Sequence, residues 1–170
     1  MVSHKYRPVS AKNLVGFVVG DVNYAVPISA VREIVSPLEI TQLPHAPASV
    51  PGVADHRGEV LPIVDLRVRF GVRESRDERR AKWILVDCAG RSVGLIVDRV
   101  TDVFGATGEG LRPAPALGTG DDVRGIVGVT TLEGDLTFVL DVSRFDELTR
   151  ALDPSSIAQL SELAGAKVAT

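Results

Sequence analysis

Residues 52–66 read GVADHRGEVLPIVDL, and residues 128–142 read GVTTLEGDLTFVLDV. Gly58 falls opposite Gly134 and Asp65 opposite Asp141, each pair 76 positions apart. An earlier block repeats too. AVPISAVREIV at 25–35 shares its apolar rhythm with GLIVDRVTDVF at 94–104, 69 positions on, and the same step joins Pro44 to Pro113. The change from 69 to 76 puts seven extra residues into one loop of the second half, within 114–127. Two related units predict one fold with a pseudo-twofold axis and a groove between the halves. A repeat of this length present only twice is not a solenoid, which stacks more copies to close its core.

The chain of 170 residues suits one compact domain or two small fused subdomains. Its 45% hydrophobic content builds a core, and its 24% charged residues keep it in solution. A net charge of −3 gives no nucleic-acid footprint. The single cysteine, Cys88, excludes an internal disulfide and fits a reducing cytoplasm. MVSHKYRPVSAKN at the N-terminus has no apolar stretch of the signal-peptide kind. No run approaches the roughly 20 apolar residues that span a bilayer.

Most of the chain reads as short strands, so the fold class is all-β. LVGFVVG (14–20) and NYAVPI (23–28) form an opening hairpin about Gly20-Asp21. VREIV (31–35) fits one helical turn or a bent strand, and four prolines make 36–51 an extended surface loop. EVLPIVD (59–65) is a strand whose Pro62 predicts a sheet edge or a bulge, since proline has no ladder donor. LRVRF (66–70) is a helical turn capped by Asp65, and Asp141 repeats that cap. VRESRDERRAK (72–82) is a solvated loop. WILVDC (83–88) and SVGLIV (92–97) form the next hairpin, and VTDVFGA (100–106) is a further strand. Residues 105–120 read as a flexible loop. VRGIVGVTTL (123–132) and DLTFVLD (135–141) make the last hairpin, turning at Glu133-Gly134. Asp153-Pro154 starts a short C-terminal helix with Ile157, Leu160 and Leu163 on one face. The organisation is a tail (1–13), a domain of two subdomains (14–150) and a C-terminal helix and tail (151–170).

Little of this carries chemistry. His45 lies in a proline-flanked loop and His56 beside Asp55, without metal-ligand spacing, so both read as surface histidines. Cys88 ends an apolar strand and reads as core rather than nucleophile. Asp65 and Asp141 occupy one structural position twice, which suits capping better than acid–base catalysis. The glycines of 105–120 form no phosphate loop, because no Lys-Ser/Thr follows them. A binding module with no catalytic residue, metal or cofactor is therefore expected. The rival from another class is a metal-dependent or Cys/His hydrolase using His45, His56, Asp55 and Cys88.

The copies are informative where they differ. Arg57 is matched by Glu133, and Glu33 by Asp102. These positions are polar, and one changes sign, so they are not core. Arg57 lies at a turn where its guanidinium can pair with Glu33, pair with a partner carboxylate, or simply be solvated. Val31 and Val103 sit beside charged residues and fit either the core or a docking groove at the seam between halves.

GVADHRGEVLPIVDLRVRFG resembles the signature segment of CheW-like domains, in which an Asn-Leu-Arg-Gly turn precedes a proline-containing strand and an Ile-Val-Asp-Leu-Arg run. VREIV, GLIVDRVTDV and LRPAP match that family in order and spacing, and the resemblance covers about residues 14–150. It implies two intertwined five-stranded SH3-like barrels and no catalytic activity. It also implies a cytoplasmic adaptor, recruited to membrane receptor arrays through the receptors, that couples chemoreceptors to a CheA-type histidine kinase. By the same resemblance Val31, Glu33, Arg57 and Val103 correspond to receptor-binding positions, with Arg57 and Glu33 as an ion pair. Pro51, Gly52 and Val53 correspond to the region that meets the kinase regulatory domain. A CheW-like module of a gliding-motility or developmental kinase pathway is the nearest alternative. One departure stands out: Asp55-His56 replaces the usual Asn-Leu, which bears on receptor preference or on pH sensitivity near the histidine titration range.

Overall fold

Leu14 to Val19 pair antiparallel with Pro27 to Val22, and Trp83 to Cys88 pair with Ile96 to Arg91 in the same register, 69 positions on. That correspondence runs through the whole molecule. The computed structural model describes residues 13–72, 79–105, 111–114 and 125–145. The expected C-terminal helix and most of the stretches expected as charged and glycine-rich loops lie outside these residues.

The first repeat comprises β1 (Asn13–Val19), β2 (Val22–Pro27), β3 (Val31–Val35), β4 (Gly52–His56), β5 (Glu59–Asp65) and the helical turn α1 (Leu66–Arg69). The second comprises β6 (Lys82–Cys88), β7 (Arg91–Val97), β8 (Arg99–Gly105), β9 (Ile126–Leu132), β10 (Asp135–Leu140) and a 3-10 turn at Val142–Phe145. The strands form two five-stranded sheets, ordered β8-β1-β2-β10-β9 and β3-β6-β7-β5-β4. Each sheet takes its first hairpin from one repeat and its other three strands from the other. The barrels are therefore intertwined, and the two sheet orders correspond strand for strand.

Local sequence explains the turns. Three of the two-residue hairpin loops, Arg57-Gly58, Ala89-Gly90 and Glu133-Gly134, have positive φ at both positions, 54° and 85°, 51° and 86°, and 50° and 86°. Positive φ at both central positions is the type I′ geometry, whose twist matches that of paired strands. Asp55 and Asp87 each accept a hydrogen bond at 2.8 Å from the turn glycine three residues on. Asp65 accepts from Arg67 N–H and Asp141 from Ser143 N–H, so both caps form as expected.

VREIV is the bent strand of the two alternatives, with a bulge between Val31 and Glu33. The expectation for Pro62 is not met: β5 lies inside its sheet, between β7 and β4, with unbroken register. Its Cα partner Val53 sends both N–H and C=O outward to Thr41, at 2.9 and 2.8 Å. The proline thus sits at a non-hydrogen-bonded pair of the β4–β5 ladder and one residue before the β5–β7 ladder begins at Ile63.

One apolar cluster joins the sheets, with Phe17, Val19, Tyr24 and Val26 from one packed with Val64, Ile84, Val86 and Leu95 from the other. Each sheet also has its own interior. Leu14, Ala25 and Val139 fill one, and Trp83, Ile63, Leu61 and Leu85 fill the other. Size is exchanged between equivalent positions. Ala25 pairs with Val139, whereas Gly94 pairs with Ile63, whose Cδ1 lies 2.6 Å from where a Cβ on Gly94 would be. Close packing of this kind leaves no room for even one added methyl without a shift.

Candidate functional site

β3 and β4 are the two outer strands of their sheet, and three side chains tie them together across the barrel seam. Glu33, on β3, presents Oε2 to His56 Nε2 at 2.9 Å and Oε1 to Arg57 Nη2 at 3.1 Å. His56 ends β4, and Arg57 opens the type I′ turn that follows. Twenty-three residues separate Glu33 from His56, so only the barrel's closure brings them into contact. The His56 side chain is 17% exposed, Glu33 35% and Arg57 76%.

The hydrogen bond from His56 holds the Glu33 carboxyl below its ordinary value of 4.5; partial burial opposes this, and the charges of Arg57 and His56 assist it. Glu33 is therefore an anion at neutral pH, with each oxygen committed to a different donor. The other sheet has no such latch, because its corresponding residues are Asp102, Leu132 and Glu133, two acids and a leucine. Asp102 instead accepts from the Val103 N–H at 2.8 Å.

The structure thus brings Glu33 and Arg57 together and adds His56, which the sequence reading placed on the surface. That reading of His56 is corrected: the ring is largely covered and bonded. The cue was present in the repeat, since the position matching His56 is Leu132, and a polar residue replacing an apolar one asks for a partner. Val31 and Val103 lie on outer strands of different sheets. Val31 is half-buried against the central cluster, while Val103 is half exposed. By register the counterpart of Val103 is Ile34, also exposed, not Val31.

The stretch Pro51–Val53 is less accessible than the sequence suggests. Gly52 and Val53 are buried, and only Pro51 is partly open. A Cβ on Gly52 would stand 2.1 Å from the Thr41 carbonyl oxygen, so the close pairing of Thr41 with β4 admits glycine alone.

The residues of the rival hydrolase are not assembled. Cys88 is fully buried with its Sγ–H directed at Val142 O, and His45 is exposed in its loop. Among the described residues no three His, Cys, Asp or Glu side chains group to hold a metal. Among the same residues no helix is long and apolar enough to cross a membrane.

Comparison with known proteins agrees with this architecture. The family model described as the CheW-like domain matches residues 13–148. A chemotaxis protein CheW from Rhizobium meliloti is 35% identical over 138 residues, covering 81% of this chain and 89% of that protein. The chemotaxis protein CheW of Treponema pallidum is 32% identical over 149 residues, covering 83% and 88%. The crystal structure of the scaffolding protein TtCheW from Thermoanaerobacter tengcongensis superposes with a TM-score of 0.70 at 26% identity, covering 77% of this chain and 89% of that one. With the doubled, strand-exchanged fold and the Arg57 turn already in place, the chain belongs to the CheW-like family of chemotaxis coupling adaptors.

Proposed function

We propose that this protein is a non-enzymatic cytoplasmic scaffold that holds chemoreceptors against a CheA-type histidine kinase. The observation that carries the reading is the family match across residues 13–148, which spans both sheets. Coupling is bivalent binding. A receptor's helical tip docks on the surface that includes Val31, Glu33, Arg57 and Val103. The kinase regulatory domain docks at the region of Pro51, Gly52 and Val53. Because Gly52 and Val53 are buried, Pro51 and the backbone around it form the outer part of that kinase face. A rigid double barrel fixes the distance between partners, so the complex is recruited to membrane receptor arrays without entering the bilayer.

The test is Arg57→Glu. Arg57 is highly exposed, so its replacement leaves the fold intact while setting a like charge beside Glu33. Affinity for a receptor cytoplasmic fragment is expected to fall roughly tenfold, as for loss of a favourable charge at an interface. Unchanged affinity in a folded variant overturns the receptor assignment.

A further inference from the structure

We propose that His56 is a further residue of the partner-binding surface, whose protonation frees Arg57 to take a partner carboxylate. The inference rests on the receptor-binding reading above.

Glu33 carries one negative charge and divides it between two donors. A neutral imidazole with its proton on Nε2 contributes a hydrogen bond, and Arg57 alone balances the charge. A protonated imidazole balances the charge itself. It is the better placed of the two, since it is closer and far less exposed than the guanidinium. Arg57 is then released from Glu33 at the tip of its type I′ turn, with a guanidinium suited to bidentate carboxylate recognition.

The other charged groups around His56 sharpen the effect. Asp55 precedes it and gives Oδ1 to the Gly58 N–H; Glu59 is its cross-strand partner and is exposed; Arg32, on β3, is turned to Ser92 and Asp87. With three carboxylates and one guanidinium at the turn, a neutral His56 leaves an incoming carboxylate facing net negative charge. Protonation lowers that opposition by one unit. Nothing in the fold requires a histidine here, because Leu132 occupies the matching position of the second repeat.

The experiment measures the dissociation constant of the full-length protein for a purified helical-hairpin cytoplasmic fragment of a chemoreceptor from the same organism. It compares about pH 5.5 with about pH 8, across the range in which histidines change charge. Wild type is set beside His56→Gln, which keeps a hydrogen-bond donor without the charge, and His56→Leu, which copies the second repeat. Groups on the receptor that titrate act equally on all three proteins. Wild type is expected to bind roughly two- to fivefold tighter at the lower pH relative to both variants, the scale of one partly exposed charge pair. The same pH ratio in wild type and in either folded variant overturns the role of His56 alone. No binding by wild type at either pH overturns the receptor reading and this inference with it.

Discussion

Arg67 and Asp98 form a buried ion pair that fastens the two repeats to each other. Arg67 belongs to α1 of the first repeat, and Asp98 to the link between β7 and β8 of the second. The side chains are 7% and 16% exposed. Asp98 Oδ2 also accepts from the Gly20 N–H at 2.6 Å, and its own N–H donates to Val18 O at 3.0 Å. One carboxylate thereby holds the β1–β2 hairpin of one sheet to the helical turn beside the other, at the point where the chain crosses between them. Replacement of Asp98 by Asn removes this counter-charge from the buried Arg67. A loss of about 3 kcal/mol is expected, in line with the removal of one partner from a buried pair. Urea unfolding of the two proteins checks it, and a midpoint unmoved by the substitution contradicts it.

Gly52→Ala is expected to destabilise by about 3 kcal/mol, through overpacking and loss of the Thr41 pairing rather than through any partner contact. Thermal melting of the isolated protein reads this directly. An unchanged melting temperature would show that the Thr41 carbonyl moves aside freely. A substitution at Gly52 is for the same reason unsuited to probing the proposed kinase contact, and Pro51 is the place to substitute instead.

Glu33 gives the fold a defined acid dependence. Its folded-state value lies below the ordinary 4.5, so the unfolded chain binds this proton more readily than the folded one. The contribution is complete above 4.5 and is lost as pH falls through the lowered folded value. Wild type should therefore exceed Glu33→Gln in stability near neutrality, and the two should converge in acid. A stability difference that stays constant from about pH 7 to about pH 3 argues against the latch.

Ala89 holds φ of 51° at the first position of a type I′ turn, a conformation that asparagine tolerates better than alanine. Ala89→Asn is expected to stabilise by about 0.5 kcal/mol, or roughly 1–2 °C in melting temperature. A lowered melting temperature would contradict the turn assignment.

Much of the architecture was legible because the chain states it twice. The 69-residue step between β1–β2 and β6–β7 is the register shift of the hairpins themselves. The capping aspartates declared themselves by position, and Glu33 with Arg57 by their changing counterparts. What stayed hidden depends on closure. Pro62 suggests an edge only until Thr41 is seen taking the backbone groups of Val53. The partner of His56 is invisible to any local window, since Glu33 meets it only after β3 and β4 come round to the same seam. The burial of Gly52 arises from a loop residue, Thr41, that no periodicity marks.

A protein that physically joins a receptor to a kinase must hold both at once. The most direct measurement immobilises a chemoreceptor cytoplasmic fragment from the same organism and asks whether it retains that organism's CheA-type regulatory domain. With this protein present the regulatory domain should be retained, and with Arg57→Glu in its place retention should drop. A regulatory domain that washes through equally with and without the protein would contradict the account.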